Sequence, residues 1–297
     1  MPDTHRMTRR TGLRTALAAA IVTPLLGTVP AASAARPADR RLDVMTFNLR
    51  FASTSEPNSW AVRRPVMREL LRREDPAVIG TQEGLYQQLL DIDSDLGPHY
   101  DWIGTGREGG SRDESVALFY DTRRLAPVEH DTFWLSDTPR VIGSNTWGAA
   151  LPRIATWVRF RDLRGSGRQF YVLNTHLDHA SQYARERAAS LIAQRITAFG
   201  SLPLVMTGDF NAAAHKNAAY DRLLAAGLVD TWDTAAESGP LYGTFHGYRP
   251  LRPDGDRIDW ILATPGVTVH RASVNTFSQG GQFPSDHLPV QASVTLG

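Results

Sequence analysis

The stretch Leu204-Val205-Met206-Thr207-Gly208-Asp209-Phe210-Asn211 decides what kind of fold this chain adopts. Leu204 to Met206 are apolar in succession, not in alternation, so a strand here is covered on both faces. Such strands belong to stacked layers, with sheets inside and helices outside. The apolar run then ends abruptly in a carboxylate and an amide. Taken alone, Asp209 reads as a turn cap or a satisfied hydrogen bond, because a buried carboxylate is costly unless paired or bound to a cation.

The same transition recurs along the chain. Val44-Met45-Thr46-Phe47 ends in Asn48, Val78-Ile79-Gly80-Thr81-Gln82 in Glu83, and Phe170 to Thr175 in His176. Arg257-Ile258 precedes Asp259, and Ser285-Asp286-His287 stands just before a last apolar strand. Strands are expected over Asp43–Leu49, Ala77–Gln82, Val116–Tyr120, Ala155–Arg161, Gln169–Thr175, Leu204–Thr207, Arg257–Ala263 and Val290–Leu296. A helix is expected over Tyr183–Phe199, where Ala184, Ala188, Leu191, Ile192, Ile196 and Phe199 form one stripe, with others over Trp60–Arg73 and Leu85–Leu96. The fold class is α/β. If these strands are neighbours, their polar ends converge on one rim, where catalytic groups are commonly held.

The chemistry of that rim is coherent. Carboxylate and amide oxygens, in a chain without cysteine, suit a hard cation, Mg²⁺ or Mn²⁺. His176 and His287 add groups that move protons near neutrality. Cation, amide donors and imidazoles together suit hydrolysis of phosphate esters.

Thr46-Phe47-Asn48-Leu49-Arg50, Gln82-Glu83, Asn174-Thr175-His176-Leu177, Gly208 to Asn211, Arg257 to Ile261 and Ser285-Asp286-His287 together resemble the endonuclease/exonuclease/phosphatase superfamily. The resemblance spans nearly all of 42–296. It is nearest to a bacterial branch marked by Asn58-Ser59-Trp60, Gly104 to Arg107, Phe133 to Pro139 and Pro152-Arg153. It implies a four-layer α/β/β/α sandwich of two packed mixed sheets, and an Mg²⁺-dependent hydrolase. Glu83 would be the main metal ligand, with Asn48 and Asp286. Asp259 would orient His287, which would activate water or steady a phosphoryl oxygen. Asp209 would orient the nucleophile or bind metal, and Asn211 would donate to a non-bridging oxygen. His176 would serve as general acid or phosphate ligand. Arg153, Arg107 and Arg185 are candidate substrate contacts, and Glu114 a candidate pocket-lining residue. His179 is expected to be structural or on the rim. Trp134, Trp147 and Trp157 are expected in the core or a groove wall, and His246 on a loop near the pocket.

The first residues read differently. Arg9-Arg10, the apolar Ala16–Leu26 and Ala32-Ser33-Ala34 make a cleavable export signal of twin-arginine type over 1–34. A short leader (35–41) and one catalytic domain (42–297) are expected to follow, in a secreted protein. Nothing after the signal is long and apolar enough to span a bilayer, and a monomer is expected. Removing 1–34 takes away Arg6, Arg9, Arg10, Arg14 and Asp3, so 32 basic and 31 acidic residues become 28 and 30. The mature chain then lacks the basic excess usual in non-specific nucleic-acid binders. A phosphodiesterase or phosphomonoesterase of small, lipid- or sugar-linked phosphates is therefore preferred. A secreted nuclease and a non-catalytic secreted binding module are the alternatives.

Overall fold

The computed structural model describes residues 40–164 and 167–297. The export signal expected over 1–34, and residues 35–39 of the leader, lie outside them. Along the described chain run β1 (Leu42–Asn48), α1 (Trp60–Glu74), β2 (Val78–Gly84), α2 (Tyr86–Leu96), β3 (Tyr100–Gly106) and β4 (Ser115–Asp121). Next come β5 (Leu125–Trp134), β6 (Ile154–Asp162), β7 (Gln169–His176), α3 (Gln182–Ile196), β8 (Leu204–Asp209) and α4 (Ala218–Ala225). The chain continues through β9 (Val229–Asp230), α5 (Thr231–Thr234), β10 (Glu237–Ser238), β11 (Asp259–Ala263), β12 (Thr268–Val274) and β13 (Val290–Thr295).

Two mixed sheets result, ordered β10-β12-β13-β1-β2-β4-β3 and β5-β6-β7-β8-β11-β9. In each, a parallel pair (β1 with β2, β7 with β8) sits among antiparallel neighbours, and the short β10 adds to β12 in parallel at one edge. The doubly apolar strands explain the layering. Val44, Val172 and Val205 point into the core between the sheets. Their sequence neighbours Met45 and Leu173 point the other way, as does Met206. Met45 packs with Met67, Leu70 and Leu71 of α1. Leu173 and Met206 pack with Ala188 and Ile192 of α3 and Tyr220 of α4. The alternation of strand side chains thus feeds three cores and yields the α/β/β/α sandwich.

Toward the strand ends the inter-sheet core turns polar, and its amide donors are paired, although Gln82 Oε1 has no partner. Gln82 Nε2 donates to Asn174 Oδ1 (2.7 Å) and Thr46 Oγ1 (3.1 Å). Asn174 Nδ2 donates to the carbonyls of Thr81 and Ala117, both at 2.9 Å. The sheets approach so closely here that a Cβ on Gly80 would lie 2.1 Å from Thr207 Oγ1.

Two expectations need adjusting. The helix expected to reach Phe199 ends at Ile196 and tightens into a 3-10 turn over Thr197–Phe199. The expected strand over Arg257–Ala263 begins only at Asp259, where its ladder with β8 starts opposite Asp209, the last residue of that strand. Among the described residues no helix is long and apolar enough to cross a membrane.

Candidate active site

Strand register builds the rim. Along β7, β8 and β11, His176 lies opposite Asp209, and Asp209 opposite Asp259, in one transverse row. The other sheet brings Asn48 and Gln82 into register at the same end, and Glu83 follows. The loop before β13 is tied on by Ser285, whose Oγ donates to the Asn48 carbonyl (2.6 Å) and accepts the His287 N–H (3.2 Å). Thr244 Oγ1 accepts the N–H groups of Ile258 and Asp259 (2.9 and 3.1 Å), fixing the start of β11.

Arg50, Glu83 and Asn211 adopt left-handed backbone at this rim, with φ of 54°, 63° and 49°. Each such residue costs on the order of 1–2 kcal/mol, strain that surrounding structure must hold in place and that commonly marks functional sites.

Glu83, His176 and Asp209 each place a ligand atom within 4.8 Å of the other two, and so do Asp209, Asp259 and His287. Glu83 Oε1 and Asp209 Oδ2 both lie 2.9 Å from Nδ2 of Asn48. Asn48 therefore faces the carboxylates with its amide donor, while its Oδ1 accepts the Arg50 N–H (2.9 Å). Two converging carboxylates attract N–H, which turns the amide this way round. Asp286 stands outside both groupings, and its Oδ2 pairs with Arg50 Nη1 at 3.3 Å.

The Asp–His pair is formed as expected: His287 Nδ1 lies 3.0 Å from Asp259 Oδ2. Burial disfavours the imidazolium, but Asp259 and then Asp209 outweigh it and raise the pKa of His287 well above its ordinary value. Burial, followed by the charge of Asp259, pushes the carboxyl of Asp209 up. His176 behaves oppositely: burial and then Arg153 hold it well below the usual imidazole range. Asn211 takes its backbone N–H to Asp209 Oδ1 (2.9 Å) and its Nδ2 to the Leu177 carbonyl (3.0 Å). The same Nδ2 lies 3.1 Å from His176 Nε2.

The arginines divide. Arg153 is buried, with Nη1 3.0 Å from His176 Nδ1 and Nη2 2.9 Å from His179 Nδ1. Arg107 lines a small pocket beside His176 with Glu114, Ser115 and Arg153. Its guanidinium is spent on Glu114 (2.7 Å) and Asp113 (2.8 Å). Arg185 lies at the start of α3 and donates to Gln182 Oε1 (2.8 Å) and the Asp178 carbonyl (2.7 Å), so its guanidinium is engaged within its own segment. His179 is exposed, as expected. Trp134 and Trp147 are buried, and Trp157 packs on Tyr171 and Phe199. His246 is buried too, anchored by its N–H on the Asp286 carbonyl (2.9 Å) and by Nε2 on that of Ser285 (3.1 Å).

Three residues that matter here escaped the sequence reading. Arg63, fully buried on α1, donates to the carbonyls of Leu49, Arg50, Phe51, Asn58 and Pro284 at 2.8 to 3.1 Å. It clamps both loops that carry Arg50 and Asp286, yet it is one of several arginines on its helix, and nothing in the sequence singles it out. Asp178 accepts the N–H groups of Ala150, Ala180 and Ser181. An Asp shortly before the Ser181 cap of α3 was a readable signal. Phe245 is 52% exposed with its ring 5.0 Å from that of His287, an apolar platform at the mouth of the site.

The described geometry has recognisable counterparts. The model of the endonuclease/exonuclease/phosphatase family matches residues 45–287. A family protein from Bacteroides thetaiotaomicron is 35% identical, with a TM-score of 0.82 over 86% of this chain and 98% of that one. A mannosyl-6-phosphatase of the same organism is also 35% identical, with a TM-score of 0.80 over 86% of this chain and 100% of that one. The catalytic domain of human Nocturnin shares the fold at 20% identity, with a TM-score of 0.67 over 87% of this chain and 94% of that one. No curated protein matches in sequence. By the family match and these likenesses, the chain belongs to the endonuclease/exonuclease/phosphatase family, whose members hydrolyse phosphate esters.

Proposed function

We propose that this is an exported Mg²⁺-dependent phosphomonoesterase acting on a sugar-linked phosphate. One observation carries the reaction type: Glu83, Asp209, His176, Asn211 and the Asp259–His287 pair meet at one rim. The substrate class draws support from the 35% identical mannosyl-6-phosphatase and from the exposed Phe245, which suits the C–H face of a sugar ring.

The donor set fits a hard dication. Two carboxylates converge on Asn48 Nδ2, and a third, Asp259, keeps a buried Oδ1 with no partner. Glu83 would hold the ion, with Asp286 and the amide oxygen of Asn48 as further ligands. Bound Mg²⁺ supplies positive charge that offsets the phosphoryl oxygens.

The chain's own groups do the rest. Asp209, made more basic by burial and Asp259, accepts a proton from the attacking water. His287, kept charged by Asp259, directs Nε2–H at a phosphoryl oxygen. An arginine only donates, so Arg153 at Nδ1 of His176 leaves the ring proton on Nε2. His176 is thus a hydrogen-bond donor, and that proton argues against its ligating metal. Asn211 cannot turn its amide without setting oxygen against the Leu177 carbonyl, so its Nδ2 stays beside His176 Nε2. These two donors converge on one anionic oxygen. The P–O ester bond breaks opposite the incoming water, the departing alkoxide takes a proton from solvent, and Asp209 then returns its own proton to solvent.

Export rests on Arg9-Arg10 and Ala32-Ser33-Ala34, and N-terminal sequencing of protein recovered from culture medium tests it. The nuclease reading is weaker, because Arg107, Arg153 and Arg185 are all engaged with internal partners. Mannose 6-phosphate, p-nitrophenyl phosphate, its bis-ester, sphingomyelin, DNA and RNA, each with Mg²⁺ and with chelator, separate the possibilities. Phosphate release from the monoesters, lost in chelator, is expected. Plasmid degradation without monoester turnover would replace the proposal with a nuclease. Inactivity on all of them with metal bound would favour a binding module.

A further inference from the structure

Arg153 stands between two imidazoles. A guanidinium has five N–H donors, no acceptor, and a charge it keeps in proteins. Where one of its nitrogens meets an imidazole nitrogen, the imidazole must accept, and that nitrogen carries no proton. Nη1 meets Nδ1 of His176 at 3.0 Å and Nη2 meets Nδ1 of His179 at 2.9 Å. One side chain therefore clears the proton from the same nitrogen of two rings.

The guanidinium is itself fixed. It is buried, and its Nε lies 3.6 Å from Oδ2 of Asp178, also buried. Asp178 is pinned in turn by the N–H groups of Ala150 (3.0 Å), Ala180 (3.1 Å) and Ser181 (2.7 Å). A carboxylate held by backbone holds a guanidinium, which holds two rings. Of these rings, His176 faces the site, with Nε2 3.5 Å from Asp209 Oδ2. His179 is exposed, and its Nε2 has no hydrogen-bond partner among the described residues.

We propose that Arg153 is a positioning residue that sets both His176 and His179 as Nε2–H tautomers, and that His179 is a further substrate-contacting residue. Its Nε2–H, on an exposed ring held by the same guanidinium as His176, takes a hydroxyl oxygen on the alcohol portion of the phosphoester. This rests on the active-site reading above and adds a specificity element to it.

The ring tautomers are read without substrate, so the two readings fail separately. Long-range ¹H–¹⁵N spectra of the folded, Mg²⁺-supplemented protein, with the two rings assigned through His176→Asn and His179→Asn, should show both with bare Nδ1 and protonated Nε2. Arg153→Met should abolish that signature at both rings, and Arg153→Lys, with one donor head, should retain it at one. Turnover should fall about tenfold or more in Arg153→Met and partly recover in Arg153→Lys. His179→Ala should raise KM for mannose 6-phosphate about tenfold while leaving KM for p-nitrophenyl phosphate, which lacks sugar hydroxyls, within about twofold. An Nδ1–H at either ring of the native protein overturns the positioning role. An equal KM change on both substrates, or none, overturns the contact by His179. Should Arg153→Met not fold, the native spectra and Arg153→Lys decide the first point. No turnover on any phosphoester would sink the active-site reading while leaving the tautomer result to stand.

Discussion

Asp259→Asn isolates the charge behind His287. The carboxylate is fully buried, and its Oδ2 lies 3.0 Å from Nδ1 of the imidazole. Asparagine is of equal size and can keep an oxygen on Nδ1–H, so the ring's orientation should survive. What disappears is one unit of negative charge. At 3.0 Å and an effective dielectric of about 20, that charge stabilises the imidazolium by about 5 kcal/mol. Full expression of that energy in the transition state corresponds to about four powers of ten in rate. The retained dipole recovers part of it, so kcat/KM for p-nitrophenyl phosphate should fall about 10³-fold. Steady-state kinetics with saturating Mg²⁺ measures it, and thermal unfolding checks that the fold is intact. A well-folded variant that loses less than about tenfold would refute a charged His287.

Other consequences follow from groups away from the reacting atoms. Arg63→Met would strand the carbonyls of Leu49, Arg50, Phe51, Asn58 and Pro284, so urea unfolding should show a loss of about 3–5 kcal/mol. A loss under about 1 kcal/mol would mean the loops do not depend on this clamp. The carboxyl of Glu114 is pushed up to about 7, chiefly by burial and then by Glu83. The folded protein therefore holds a proton that the unfolded chain releases at lower pH. The resulting stability is complete at acid pH, below the ordinary carboxylate range, and is lost as pH rises through about 7, by at most about 3 kcal/mol. In chelator-treated protein, Glu114→Gln should flatten the decline of Tm between about pH 5 and pH 8, and parallel curves for the two proteins would contradict it.

What could be foreseen follows from how local each signal was. The layers were legible because Val44-Met45 and Val205-Met206 are apolar on both strand faces, and each pair feeds two different cores. The rim was legible because carboxylates, amides and imidazoles do not end such strands by accident. β5 was not foreseen: it runs at a sheet edge, carries Pro127 at a register shift, and exposes Pro127 through His130. Edge strands lack the apolar pattern that identifies inner ones. Which groups would touch was harder still, since that depends on register between distant strands. The placement of Asp209 between His176 and Asp259 is of that kind. So is the orientation of Asn48, set by the field of two carboxylates from different sheets. Arg63 acts through backbone carbonyls, and backbone leaves no mark in a sequence.

The proposed reaction requires a metal ion and Glu83 to hold it. The most direct measurement is the rate of phosphate release from mannose 6-phosphate by chelator-stripped protein, native and Glu83→Gln, as Mg²⁺ is restored. The native protein should be silent in chelator and recover fully, while a folded Glu83→Gln should stay slower by on the order of 10³-fold even at saturating Mg²⁺. Native turnover indifferent to chelator, or a Glu83→Gln rate close to native, would contradict it.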